Sequence, residues 1–213
     1  MGASIAYIKT KNLEKNYSLL IDKYGQNKKI IAIVKANAYG HGAKEISNFL
    51  KSKKISYLGV ANLEEALELK KNRSNAKILI MGSITNEEIV KATRLKIEFT
   101  IYDFSQIKFL DRLKNIKINF HLKIDTGMNR LGLSKNEIAQ AAKIFSKNKN
   151  FIMKGIYTHF AEADKKKSAF TKKQISTFKH CVEYFKKSIS SIDFIHASNS
   201  SGIINYEDDF FNT

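Results

Sequence analysis

The sequence predicts an α/β fold in which strands and helices alternate over a parallel sheet, and three observations carry that expectation. Seven short apolar runs rich in β-branched residues alternate with longer stretches of helical period. Several helical stretches open with an N-cap signal, and no low-complexity linker or internal repeat breaks the series. The length of 213 residues suits one domain, since domains commonly run about 100–200 residues and single barrels reach about 250.

Taken in order, the first element is a helix over Asn12–Tyr24, whose Leu13, Tyr17 and Leu20 form a stripe that should lie on the sheet. The first strand, Ile30–Val34, is an unbroken apolar run and reads as buried on both faces. Ser56–Val60 is the second strand. After it come Asn62 and, three residues on, Glu65, the spacing of a capping box in which each side chain bonds the other's backbone N–H. Lys77–Ile80 and Glu98–Ile101 follow as strands three and four, with Thr85 and Glu88 repeating the capping signature between them. Lys117–Lys123 is the fifth strand, and Ser134 with Glu137 marks the next helix start. Met153–Thr158 is the sixth, and Ile192–His196 the seventh. Between those two, Thr171–Lys186 places Ile175, Phe178, Val182 and Phe185 at steps of three and four, a helix with one apolar stripe. The loosest connection is Ala163–Ser168, with three consecutive lysines.

Seven strand–helix units in this order suggest a TIM-type (β/α)8 barrel that stops one strand short, because closure of that fold needs eight. An open doubly wound sheet is the structural alternative. A barrel left open would expose the edges of its first and seventh strands and favour self-association.

Hydrophobic residues at 43% and charged residues at 27% are ordinary globular values, which excludes wholesale disorder and fibrous repeats. No run approaches the roughly 18 apolar residues of a membrane span. Met1–Tyr7 is too short and too uncharged for a signal peptide, so the expected location is the cytoplasm, with no membrane partner. Cys181 is the only cysteine, which rules out an internal disulfide and a cysteine-rich zinc site. The net charge of +17 raises the question of a polyanionic partner. However, arginine occurs only at Arg73, Arg94, Arg112 and Arg130, and the rest of the positive charge is lysine. Phosphate and base recognition favour the arginine fork, so nucleic acid is not expected as the partner.

In a barrel the chemistry sits at the C-terminal ends of the strands. The first strand runs into Lys35, and a lysine at the end of a buried strand must be paired, neutral or covalently used. Desolvation of its amine favours attack on an aldehyde to form a Schiff base. The plain reading is a lysine that reaches solvent. Tyr39 adds a hydroxyl for an anionic group, and Gly40 and Gly42 allow close backbone approach. After the fifth strand, Asp125-Thr126-Gly127 predicts a tight turn that could aim Arg130 at a carboxylate, although a surface ion pair is the simpler role for an arginine there. His159 ends the sixth strand and would otherwise be a hydrogen-bonded core group. Glu162 and Asp164 beside it make too weak a ligand set for a metal, and none is expected. Asn199 and Ser200 follow the seventh strand, where a helix cap is the ordinary role. His41, His121 and His180 read as structural or surface residues, and Cys181 as a small packed side chain.

Val34-Lys35-Ala36-Asn37-Ala38-Tyr39-Gly40-His41-Gly42 resembles the pyridoxal-phosphate attachment motif of bacterial alanine racemases. Three later segments resemble the same family in the same order: Lys123–Gly132, Thr158–Asp164 and His196–Ser201. The resemblance implies that residues 1–213 are the N-terminal pyridoxal-phosphate-binding barrel of an alanine racemase, ending before the family's C-terminal β domain. It implies that Lys35 holds the cofactor and exchanges the substrate Cα proton on one face. By the same likeness Tyr39 and Ser200 bond the cofactor phosphate, Asn199 lies near it, and His159 packs on the pyridine ring. Arg130 would contact the phenolic oxygen and orient the substrate carboxylate, and His196 would stand one step behind. Lys123 matches a position that some members carbamylate.

The second base of the family is a tyrosine of the C-terminal domain supplied by the partner subunit of a homodimer, and no matching motif occurs here. Neither does the arginine of the eighth strand that meets the pyridine nitrogen. This chain is therefore expected to racemise alanine poorly by itself, the intact protein supplying D-alanine for peptidoglycan. The alternatives are a single-barrel pyridoxal-phosphate carrier without catalysis and a racemase of another amino acid.

Overall fold

All seven expected strands form, and every described pairing between them is parallel. The structure is a computed structural model that describes residues 5–24, 28–71, 76–113, 115–189, 191–206 and 208–213. The chain divides into two compact units, one ending at Gly82 and the other spanning Ser83–Thr213.

In the first unit β1 (Ile31–Ile33), β2 (Tyr57–Val60) and β3 (Lys77–Ile80) lie side by side in chain order. The central strand is fully buried, as its apolar run requires. Helix α4 (Leu63–Lys71) packs on β2 and β3 through buried Leu63, Ala66 and Leu69. Helix α3 (Ala43–Leu50) adds buried Leu50. Two expectations fail here. The first strand is not enclosed: Ile31 and Ala32 are half-buried and Ile33 is 38% exposed. Helix α1 (Thr10–Tyr24) buries none of its residues, and Leu20 of the expected stripe is exposed. It is held instead by polar contacts, the Lys53–Glu14 ion pair at 2.6 Å and the Lys54 N–H donating to the Tyr17 hydroxyl at 3.0 Å. A hollow of about 450 Å3 lined by Ile8, Leu13, Ile33 and Ile46 takes the place of an apolar seat for the helix.

In the second unit β4 (Glu98–Ile101), β5 (Ile118–Lys123), β6 (Phe151–Tyr157) and β7 (Phe194–His196) again neighbour one another in chain order. Neither unit contains the order reversal of a doubly wound sheet, so the barrel type of connection holds in both. Helices α5 (Asn86–Arg94), α6 (Phe104–Asp111), α7 (Ile138–Lys147), α8 (Ala169–Lys186) and α9 (Ser200–Asn205) fill the connections. Along β5 the side chains alternate. Phe120 packs against Phe145 of α7 with ring centroids 5.1 Å apart, so His121 and Lys123 face the other way. Helix α8 carries the expected stripe through buried Phe178, Val182 and Phe185, with Cys181 packed among them.

The seventh strand does not present the bare edge expected of it. Asn212 lies along β7: its backbone N–H donates to the Ile195 carbonyl at 3.1 Å, and its side-chain oxygen accepts from the Ile195 N–H at 2.8 Å. Its side-chain amide also donates to the Asp193 carbonyl at 3.1 Å. The Ala163–Ser168 loop is likewise fastened. The Tyr206 hydroxyl accepts from the Ser168 N–H and donates to the Lys165 carbonyl, while Glu162 takes the Ser168 hydroxyl and pairs with Lys165.

Candidate functional site

Lys35 follows the last residue of the β1 run and is half-buried. Its setting is not the enclosed strand end that the sequence suggested, because β1 itself is half-exposed. What distinguishes it is the backbone that follows. The segment α2 (Lys35–Tyr39) is a helical turn of the wrong hand: Ala36, Asn37, Ala38 and Tyr39 have φ of 51°, 52°, 52° and 55°. A left-handed residue costs roughly 1–2 kcal/mol when it carries a Cβ, and such runs persist only where surroundings over-determine them. Gly40 continues the run at φ 85° in open space, so conformation rather than crowding calls for glycine there.

The surroundings do over-determine it. The Ala38 N–H donates to the Val34 carbonyl at 2.9 Å, and the Gly42 N–H to the Asn37 carbonyl at 3.0 Å. The Asn37 side chain accepts from the Ala43 N–H at 2.8 Å, capping α3 from outside. His41, a structural residue as expected, places Nδ1 2.8 Å from the Ala38 carbonyl. The turn carries the Tyr39 ring back toward the lysine, whose amine lies 6.0 Å from the ring centroid. Lys35 and Tyr39 are thus brought together by a local fold that helical or strand periodicity does not encode.

Glu65 joins this arrangement. The Asn62 side chain accepts from the Glu65 N–H at 3.0 Å, as a capping box requires, but the glutamate does not answer it. Its carboxylate takes the Ala36 N–H at 2.8 Å and the Ala61 N–H at 2.8 Å. The Thr85–Glu88 box is complete by contrast. In the third expected box the Glu137 carboxylate takes the Ser134 N–H and hydroxyl, while the Glu137 N–H donates to the Ser134 carbonyl.

The other site residues belong to the second unit. Arg130 is exposed on the loop after β5. The expected tight turn forms: the Asp125 carboxylate accepts from the Gly127 N–H at 2.9 Å and the Asn129 N–H at 3.1 Å. The loop returns through Leu133, whose N–H donates to the Lys123 carbonyl at 2.8 Å. His159 is half-buried just past β6. The loops carrying Arg130 and His159 are tied together by Gln174, a fully buried residue of α8. Its amide donates to the Thr126 hydroxyl and the His159 carbonyl, both at 3.1 Å, and its oxygen accepts from the Ala161 N–H at 3.0 Å. The sequence did hold a signal for Gln174, a polar residue on the core-facing spacing of an apolar stripe. Asn199 caps α9, accepting from the Gly202 N–H at 2.8 Å, and Ser200 is the exposed first residue of that helix.

Behind these loops lies a buried polar row in which His121, expected to be a structural or surface residue, meets His196, expected one step behind the site. His121 is fully buried, with Nδ1 3.0 Å from His196 Nε2 and Nε2 3.5 Å from the Glu98 carboxylate. His196 stacks on Tyr157 at 4.5 Å between centroids, and the Tyr157 hydroxyl is 2.9 Å from that of Thr100. The Lys123 amine lies 5.5 Å from the Tyr157 ring centroid. Burial holds the His196 imidazole neutral by pushing its pKa well below the ordinary value, and His121 adds to the effect. Burial likewise raises the Tyr157 phenol far above its ordinary range, against smaller opposing pulls from the Thr100 hydrogen bond and the Arg130 charge.

The alanine racemase of Fusobacterium nucleatum is 40% identical over 207 residues, covering 95% of this chain and 56% of that protein. The alanine racemase of Borreliella burgdorferi is 37% identical over 203 residues, covering 94% of this chain and 54% of its own length. The chain thus spans about half the length of the curated relatives it matches. The solved alanine racemase of Clostridium difficile 630 superposes with a TM-score of 0.88 at 28% identity, covering 98% of this chain and 57% of that one. That likeness fixes the fold as the α/β barrel type with seven of its strands present. The family profile described as alanine racemase, N-terminal domain, matches residues 8–213, and the chain belongs to that family.

Proposed function

We propose that residues 1–213 are the cofactor-binding domain of a pyridoxal-phosphate-dependent alanine racemase, with Lys35 as the attachment point. The observation that carries the reading is the left-handed turn after Lys35, built on the Val34–Gly42 motif and set at the C-terminal end of a parallel strand. Each unit offers groups that suit such a cofactor: in the first the Lys35 amine for an aldehyde and the Tyr39 hydroxyl for a phosphate, in the second the Ser200 hydroxyl for a phosphate. When bound, pyridoxal phosphate supplies the electron sink that acidifies the substrate Cα–H.

The chain's own residues then divide the work. The Lys35 amine takes or returns the Cα proton on one face of the substrate. Arg130, held by the Asp125 turn, orients the substrate carboxylate. His159 supports the cofactor ring, and its backbone is fixed by Gln174. Asn199 sets the start of α9 so that Ser200 is presented to the phosphate. Racemisation needs a second base on the opposite face, and we place that base, with the C-terminal β domain, in the part of a longer protein that the relatives' greater length represents. In that protein the substrate is alanine, the assembly a homodimer, the location the cytoplasm, and the product D-alanine for peptidoglycan. Among the described residues no helix is long and apolar enough to cross a membrane.

The test is to mix the purified chain with pyridoxal phosphate, reduce with borohydride, and locate the added mass by peptide mass spectrometry. Selective labelling of Lys35 over the many other lysines is the expected result. Labelling scattered over the surface lysines would overturn the assignment.

A further inference from the structure

We infer that Glu65 is a positioning residue for Lys35, acting through the backbone N–H of Ala36 to set the left-handed turn that aims the lysine amine. The inference rests on the reading of Lys35 as the cofactor attachment point. Ala36 is the residue at which the chain changes hand, with φ of 51°. The direction of its N–H is set by the ψ of Lys35, since both belong to one planar peptide unit. Anchoring that N–H therefore fixes the backbone from which the Lys35 side chain departs. Glu65 does this with one carboxylate oxygen at 2.8 Å.

The other oxygen, 2.8 Å from the Ala61 N–H, sits just past the end of β2, the strand paired with β1. One carboxylate thus clamps the backbone that leaves two neighbouring strands. Its own frame is rigid, because α4 is seated by buried Leu63, Ala66 and Leu69. The cost of the arrangement is visible in the unfinished capping box. Glu65 forgoes the return bond that Glu88 makes in α5, although Asn62 offers the same start. Helix capping alone does not explain that choice, and the hand of the turn after Lys35 does. The turn also returns Tyr39 to the lysine, so the same contact governs the pairing of both residues.

The test compares Glu65→Gln with Glu88→Gln in the borohydride trapping experiment. A carboxamide offers one acceptor oxygen where Glu65 serves two N–H groups, so Glu65→Gln should lower the selectivity for Lys35 about tenfold, the loss expected of a charge-assisted hydrogen bond. Glu88→Gln, which damages a helix cap to a similar degree, should leave the selectivity unchanged. Adding Ala36→Gly to Glu65→Gln should restore much of it, because glycine enters the left-handed region without a Cβ penalty. Amide hydrogen exchange at Ala36 reads the contact without cofactor and should quicken in Glu65→Gln alone. Wild-type selectivity and Ala36 exchange in Glu65→Gln would overturn the inference while leaving the attachment site standing. Unselective labelling of the wild-type chain would instead remove the attachment site itself, and the inference with it.

Discussion

Gln174 offers the most direct test of how the second unit holds its loops. Replacing it with methionine keeps length and volume but removes every polar atom, so packing of the α8 stripe is preserved. Three hydrogen bonds disappear: to the Thr126 hydroxyl, the His159 carbonyl and the Ala161 N–H. At about 1 kcal/mol each the direct loss is about 3 kcal/mol. Two features bound it. The Thr126 hydroxyl keeps a partner in Thr158 at 2.7 Å, and Ala161 is exposed enough to turn to water. The His159 carbonyl loses a bond in a half-buried position, where desolvation is partly uncompensated. The expected destabilisation is therefore about 2–4 kcal/mol, a large share of the roughly 5–15 kcal/mol that holds a domain. Urea unfolding followed by far-UV circular dichroism measures it, since the chain has no tryptophan. A shift corresponding to less than about 1 kcal/mol with unchanged m would refute the view that Gln174 is the tie between the two loops.

Two further perturbations address the buried polar row. His196 is held neutral in the fold, whereas the unfolded chain protonates it near pH 6.5. Below that pH the unfolded state binds the extra proton, so stability falls as pH falls, at up to about 1.4 kcal/mol per unit from this group. His196→Asn should flatten the decline in urea midpoints between pH 7 and pH 5, and an unchanged slope would assign the acid sensitivity elsewhere. Gly155 lies directly against the His121 ring, and a Cβ there would collide with it. Gly155→Ala should destabilise by about 1–3 kcal/mol as overpacking does. The penalty should shrink in a His121→Ala background, as a double-mutant cycle of melting temperatures would show.

The strand–helix series was legible because β-branched apolar runs and capping signals are local properties. Lys77–Ile80 and Glu98–Ile101 form with the predicted bounds, and the other strands shift by a residue or two at their ends. Burial was less legible. Ile30–Val34 reads as a core strand from its composition, yet β1 is half-exposed, because enclosure depends on what packs around a strand and not on the strand itself. The same holds for Leu20, which has the spacing of a packed residue without the packing. The meeting of His121 with His196 was not legible, because neither has a partner within reach along the sequence. Their 3.0 Å approach joins residues 75 positions apart. The alternation of Asn119, His121 and Lys123 against Ile118, Phe120 and Leu122 was the available hint that β5 turns a polar face inward.

Sites of function tend to be where local rules fail and the surroundings bear the cost. The segment after Lys35 breaks two such rules at once. Two alanines, an asparagine and a tyrosine, none of which calls for a left-handed backbone, are wound left-handed in succession. A glutamate placed to complete a capping box leaves it open and reaches across to the first of them. Either departure alone could be a local accident of packing. Together they meet at a single peptide group, the one joining Lys35 to Ala36, and that convergence is what supports the proposal that Glu65 sets the direction of the lysine.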